Sequence, residues 1–194
     1  MFMYIFPLLL LIIILLIIAS TLYVVRQQTV VIIERFGKYQ ATVSSGIHIR
    51  MPFGIDRIAA RIQLRMLQSE LIVETKTNDN VFVTLNIATQ YRVNEQNVMD
   101  AYYKLMRPEE QIKSYIEDAL RSSVPKLTLD ELFEKKDEIA LEVQKQVAEE
   151  MSTYGYIIVK TLITKVEPDA EVKQSMSEIN AAQRKRVAAQ ELGN

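Results

Sequence analysis

The chain has 194 residues, with 23 Lys and Arg against 24 Asp and Glu for a formal net charge of -1, and it contains no cysteine. The near-cancellation leaves no global basic field to collect nucleic acid, and the missing sulfur removes disulfides, thiolate nucleophiles and sulfur-bound zinc. A chain of this size holds one ordinary domain or two small ones.

The first charged side chain is Arg26, so residues 2–25 (FMYIFPLLLLIIILLIIASTLYVV) form an uncharged block rich in Leu and Ile. With Pro7 in the first turn, residues 7–25 rise about 28 Å as a helix, close to the hydrocarbon thickness of a bilayer. Tyr4 and Tyr23 then fall near the two interfaces. The block is read as a transmembrane helix over residues 1–25, with Leu10, Ile14, Ile17 and Tyr23 touching lipid. A cleaved signal peptide is the competing reading, for Ala19, Ser20 and Thr21 are small; against it, no Lys or Arg precedes the run, and the run is longer than a signal core. Arg26, Arg35 and Lys38 follow the block, which predicts a single-pass protein of the cell membrane with its folded part in the cytoplasm.

Alternation starts after Gln28. Residues 29–35 (TVVIIER) read as a strand, Phe36, Gly37 and Lys38 as a turn, and residues 39–43 as a short return strand. Residues 44–53 (SSGIHIRMPF) hold the one histidine of the chain, His48. A metal site there lacks a second His or Cys, and no serine carries a supporting motif for a Ser-His-Asp arrangement. His48 is therefore read as a structural imidazole in a strand, with pH sensing as the alternative. Ile47, Ile49, Met51, Phe53 and Ile55, flanked by Arg50 and Arg57, suit a second bilayer contact through Phe53 and Ile55, because Pro52 and Gly54 break a regular strand. The competing reading alternates these residues into the core of the β-rich part.

Residues 57–66 alternate cleanly, and residues 71–77 and 81–93 flank a turn at Asn78, Asp79 and Asn80 as a hairpin. From Asn94 the period becomes 3.6. Ala101, Tyr102, Leu105 and Met106 fit a buried helical face. Pro108, Glu109 and Glu110 open a helix with a stripe through Ile112, Tyr115, Ile116, Ala119, Leu120 and Val124. Thr128 and Glu131 have capping-box spacing and open a longer helix whose stripe is Leu132, Phe133, Ile139, Ala140, Val143, Val147 and Met151. Residues 156–166 return to strand, and a last helix starts near Pro168 and ends polar and basic at Arg184, Lys185 and Arg186. Adjacent carboxylates such as Glu109 with Glu110, or Glu149 with Glu150, point apart on a helix and read as solvated faces. Glycine spacing excludes GxGxxG, P-loop and GxSxG motifs, and one histidine excludes HExxH.

In this order VVIIERFGKY, SSGIHIRMPF, ETKTNDNVFVTLNIATQYRV, SVPKLTLDELFEKKDEIA and YGYIIVKTLITKVEPDAEVKQSMSEINAAQRKR resemble the SPFH or band 7 family of stomatins, prohibitins and flotillins. Within it the similarity is greatest to the plant hypersensitive-induced reaction proteins. The resemblance implies an α+β fold: a transmembrane helix (1–25), a β-rich subdomain (26–93), an α/β subdomain (94–166) and the truncated start of a C-terminal coiled-coil helix (167–194). It implies structural roles for Gly46, His48, Pro52, Tyr154, Gly155 and Pro168, and no catalytic residues, cofactor or metal. The function it implies is a non-enzymatic, membrane-anchored scaffold that oligomerises, organises a membrane microdomain and holds or regulates partner membrane proteins such as a protease or channel. Neither nucleic acid nor a small-molecule substrate is expected. An accessory subunit of a membrane-anchored hydrolase or protease complex is the alternative.

Overall fold

The computed structural model describes residues 2–52 and 54–191. The chain divides into two compact units: Met1–Met66, Arg92–Met106 and Ser152–Ile157 in one, and Leu67–Tyr91, Arg107–Met151 and Ile158–Asn194 in the other.

In the first unit, helix α1 (Phe2–Thr21) leads into strands β1 (Leu22–Val25), β2 (Thr29–Arg35), β3 (Lys38–Val43), β4 (Gly46–Ile49) and β5 (Asp56–Gln63), joined later by helix α2 (Val98–Tyr103). Strand β2 lies between β3 and β5, antiparallel to both, while β1 and β4 form a separate antiparallel ribbon. Its central position explains why Val30, Val31, Ile32 and Ile33 are all buried although they are consecutive. Tyr23, Val43 and Ile58 pack on a cluster of Val25, Val31 and Ile33.

This unit corrects the reading of residues 1–25. Leu22–Val25 do not continue the helix; they pair with β4 in the register Leu22 with Ile49 through Val25 with Gly46. Among the described residues no helix is long and apolar enough to cross a membrane. The transmembrane helix is therefore not supported, and the single-pass topology loses its basis. The physical reason lies at the end of the block. There a short run with one aromatic and two β-branched residues, LYVV, finds a ladder partner in GIHI, and the Arg50 N–H donates to the Thr21 carbonyl at 2.9 Å where the helix stops.

In the second unit β6 (Leu67–Lys76), β7 (Phe82–Val93) and β8 (Tyr156–Pro168) form a sheet in that order, accompanied by α3 (Pro108–Ser123), α4 (Leu129–Glu134), α5 (Lys136–Ser152) and α6 (Ala170–Glu191). Val83, Leu85 and Ile87 of β7 turn inward, as do Ile112, Ile116, Ala119 and Leu120 of α3 and Ile139, Ala140, Val143, Val147 and Met151 of α5. Thr128 caps α4: its Oγ1 accepts from the Glu131 N–H at 3.3 Å while the Glu131 carboxylate accepts from the Thr128 N–H at 3.0 Å. Asp79 of the hairpin turn accepts from the Leu129 N–H at 3.2 Å, fixing the start of the same helix. The longer helix expected here is two helices. Residues 134–138 (EKKDE) offer no apolar side chain to hold a continuing turn, and Lys135 leaves helical geometry at φ -101 and ψ 12. Phe133, expected in the stripe, is exposed. At the sheet edge, the Gln144 side chain of α5 donates to the Val159 carbonyl at 3.1 Å and accepts from the Thr161 N–H at 3.4 Å.

Candidate functional site

The β1–β4 ribbon sorts its side chains by strand parity. Tyr23, Val25 and His48 point one way, and Leu22, Val24, Ile47 and Ile49 the other. On that outer side the register sets Leu22 opposite Ile49 and Val24 opposite Ile47. Leu22, Val24, Ile47 and Ile49 are 50%, 63%, 75% and 76% exposed, and Met51 just beyond them is exposed as well. Four large aliphatic side chains in two facing pairs make a continuous apolar face on a two-stranded element. Isolated exposed aliphatics are ordinary, but a contiguous patch marks an interaction surface.

The inner side holds the ribbon in place. His48 Nε2 lies 2.9 Å from the Ser44 carbonyl oxygen, which can only accept, so Nε2 carries the proton. The His48 ring lies 5.9 Å from the Tyr23 ring, centroid to centroid. Gly46 has φ +136, a conformation side chains rarely adopt, and sets the entry of the chain into β4. The Tyr23 hydroxyl is buried without a hydrogen-bond partner among the described residues, and burial raises its pKa; the charge of Arg50 opposes that shift and Asp56 adds to it.

Beyond β4 the chain is tied by Asp56. Its carboxylate takes the Arg35 guanidinium at 2.8 and 3.3 Å and the Met51 N–H at 2.9 Å. The Arg35 hydrogen bond, with that of Met51, holds the Asp56 pKa below the usual carboxylate range. The sequence pattern names Ile47, Ile49 and Met51 but centres the contact on Phe53 and Ile55; Leu22 and Val24 were missed, because their outward parity exists only once residues 22–25 are strand.

The other expected site residues are dispersed. Leu10 and Ile14 are exposed on α1, and Ile17 falls in the same helix. Pro52 and Ile55 are half-buried in the loop before β5, and Phe53 lies outside the described residues. Tyr154 and Gly155 sit in the turn between α5 and β8, and Pro168 ends β8. Glu109 pairs with Lys113 at 2.8 Å and Glu110 with Arg107 at 3.1 Å. A cavity of about 300 Å³ between α3 and α5 is lined by residues that include Tyr115, Asp118 and Gln146. Among the described residues no group of three or more His, Asp or Glu is placed to hold a metal ion.

The chain is 40% identical over 158 residues to hypersensitive-induced response protein 4 of Arabidopsis thaliana, covering 81% of this chain and 54% of the relative. It is 26% identical over 160 residues to an uncharacterised protein of Methanothermobacter thermautotrophicus, covering 81% and 49%. An uncharacterised protein of Mycobacterium tuberculosis is 27% identical over 162 residues, covering 81% and 41%. The chain thus spans about half the length of these curated relatives. Residues 23–193, beginning inside β1, match the SPFH domain / Band 7 family, and with a plant relative at 40% identity the chain belongs to that family.

Proposed function

We propose that this chain is a non-catalytic scaffold subunit that self-associates, lies against a membrane surface through the outer face of the β1–β4 ribbon, and there gathers partner membrane proteins into a lipid patch. Family membership supports the scaffold-type role. The observation that carries the membrane contact is the pair of facing aliphatic couples, Leu22 with Ile49 and Val24 with Ile47, exposed on one side of a ribbon whose other side is fixed by Tyr23 and His48. Apolar side chains standing out of a short, well-held ribbon bury into the headgroup–acyl boundary without needing a span. In this reading Gly46 and His48 shape the ribbon, Gly155 shapes the turn before β8, and residues 26–93 and 94–166 act as the two subdomains of the scaffold.

The test is flotation of the full chain with vesicles, beside the double variant Ile47→Ser and Ile49→Ser. The variant should float less while its unfolding free energy stays within about 0.5 kcal/mol of the parent, as surface changes do. Equal flotation by both forms removes the ribbon as the contact. Mass analysis in mild detergent with active-site-directed hydrolase probes tests the rest: a large assembly that takes no label supports the scaffold, and a labelled chain overturns it.

A further inference from the structure

The β2–β3 hairpin closes through two residues, Phe36 and Gly37, because Arg35 and Lys38 are directly paired. Both central residues are left-handed, with φ 50 at Phe36 and φ 76 at Gly37. Hairpin turns of this kind favour Asn-Gly or Gly-Gly, and a bulky residue at positive φ is an outlier. Phe36 is also 82% exposed, so packing within this chain does not offset the strain. A strained, exposed aromatic ring on a tip with no spare loop residues points to a task outside the chain.

Its neighbours indicate the task. Arg35 pairs in register with Asp56, and the Asp56 carboxylate also holds the Met51 N–H, so the hairpin tip and the loop after β4 are bound to one group. The Leu22–Ile49 end of the ribbon runs into that same loop, where the Arg50 N–H meets the Thr21 carbonyl at the end of α1. One end of this unit thus carries Phe36, Met51, the Leu22–Ile49 couple and the last turn of α1. The carboxylates there are engaged: Glu34 accepts from the Tyr103 hydroxyl at 2.7 Å, and Asp56 is held by Arg35. Among the described residues no ion pair involves Lys38 or Arg57. Apolar tips beside these two cations, with Asp56 paired to Arg35 and Glu34, opposite Arg57 in the ladder, hydrogen-bonded by Tyr103, match an anionic lipid surface.

We propose that Phe36 is a preset wedge that enters the headgroup–acyl boundary of an anionic bilayer beside the ribbon, with Lys38 and Arg57 at the lipid phosphates. This rests on the reading that the ribbon faces a membrane. The two-residue turn fixes the backbone of the tip before contact, so little backbone ordering entropy is lost on insertion.

The chain contains no tryptophan, so Phe36→Trp and Ile49→Trp in the full chain each give a sole fluorophore. Vesicles of phosphatidylcholine and phosphatidylglycerol, with and without bromine on the acyl chains, are the probe. The Trp at position 36 should be wet in buffer, then shift to the blue and be quenched by the brominated lipid. Phe36→Asn, which suits the turn, should weaken vesicle binding about tenfold while raising the unfolding midpoint. If the reporter at 36 stays wet on vesicles while that at 49 is quenched, the wedge fails and the ribbon reading stands. If both stay wet, both fail. A reporter at 36 already dry in lipid-free buffer, and unchanged by vesicles, assigns the tip to a second copy of the chain and overturns the wedge. An equal response on phosphatidylcholine alone overturns the preference for anionic lipid.

Discussion

Gly155 and Gly37 offer a matched pair of substitutions that separates backbone strain from steric collision. Both sit at nearly the same left-handed φ, +77 and +76. Alanine at either position therefore carries a similar conformational penalty, about 1–2 kcal/mol. Its gain from restricting the unfolded chain, about 0.4–1 kcal/mol, also cancels between them. The surroundings differ. A Cβ at Gly37 meets nothing within 4 Å, whereas one at Gly155 collides with the Asn97 carbonyl oxygen and comes 3.1 Å from the Ala101 amide nitrogen. That wall cannot swing aside like a side-chain tip. It is the backbone entering α2, held by the Asn94 N–H on the Gly155 carbonyl at 2.9 Å and by the Tyr156 hydroxyl on the Ala101 carbonyl at 3.4 Å. Forcing a methyl group into such a site adds about 1–3 kcal/mol. Gly155→Ala is thus expected to lose about 1–3 kcal/mol more than Gly37→Ala. Urea unfolding in a non-ionic detergent, followed by far-ultraviolet circular dichroism, measures both. Equal losses in the two variants would refute the collision.

Asp56→Asn should flatten the acid side of the stability profile. The folded pKa of Asp56 is held below its ordinary 3.8 by Arg35 and then by Met51, so its contribution is present above the unfolded value and disappears as pH falls through the folded one. A parent and variant with the same acid slope in urea midpoints would sink this. Thr128→Ala removes the acceptor for the Glu131 N–H and should cost about 1 kcal/mol, with Thr128→Ser restoring most of it, by the same unfolding assay. Leu85→Ala, at a fully buried position of the central strand β7, should cost about 2–5 kcal/mol; a loss under about 1 kcal/mol would show that the site collapses around the smaller side chain.

Elements whose pattern is local were legible in the sequence. The alternation of β7, the stripe of α3 after Pro108, and the Thr128–Glu131 box each depend on residues a few positions apart, whereas the strand expected over residues 57–66 ends at Gln63 and leaves Met66 exposed. What failed depended on distant partners or on length. Residues 22–25 look like more of an apolar helix until residues 46–49 are brought alongside, and that pairing also decides which of the ribbon's side chains face out. Met106 was expected on a buried helical face, yet it is exposed: α2 has only six residues, so the 3.6 period stops before Leu105 and Met106; Tyr102, inside α2, is exposed as well. In the candidate site, the apolar cluster around Ile47, Ile49 and Met51 was legible as composition. The strain at Phe36 was not, because a positive φ at phenylalanine contradicts its own preference and is imposed by the two-residue closure between β2 and β3.

The Gln144 amide on β8 has a consequence for how copies of this chain go astray. β8 ends its sheet, and an unpaired strand edge invites a stray strand to dock. By donating to the Val159 carbonyl and accepting from the Thr161 N–H, Gln144 stands in for one residue of an absent neighbour. An incoming strand meets a rung already taken. Because α5 precedes β8 in the chain, the residue that guards the edge is made before the edge itself. Gln144→Leu should therefore lower the yield of dispersed protein, with more in inclusion bodies, by more than its loss of stability accounts for.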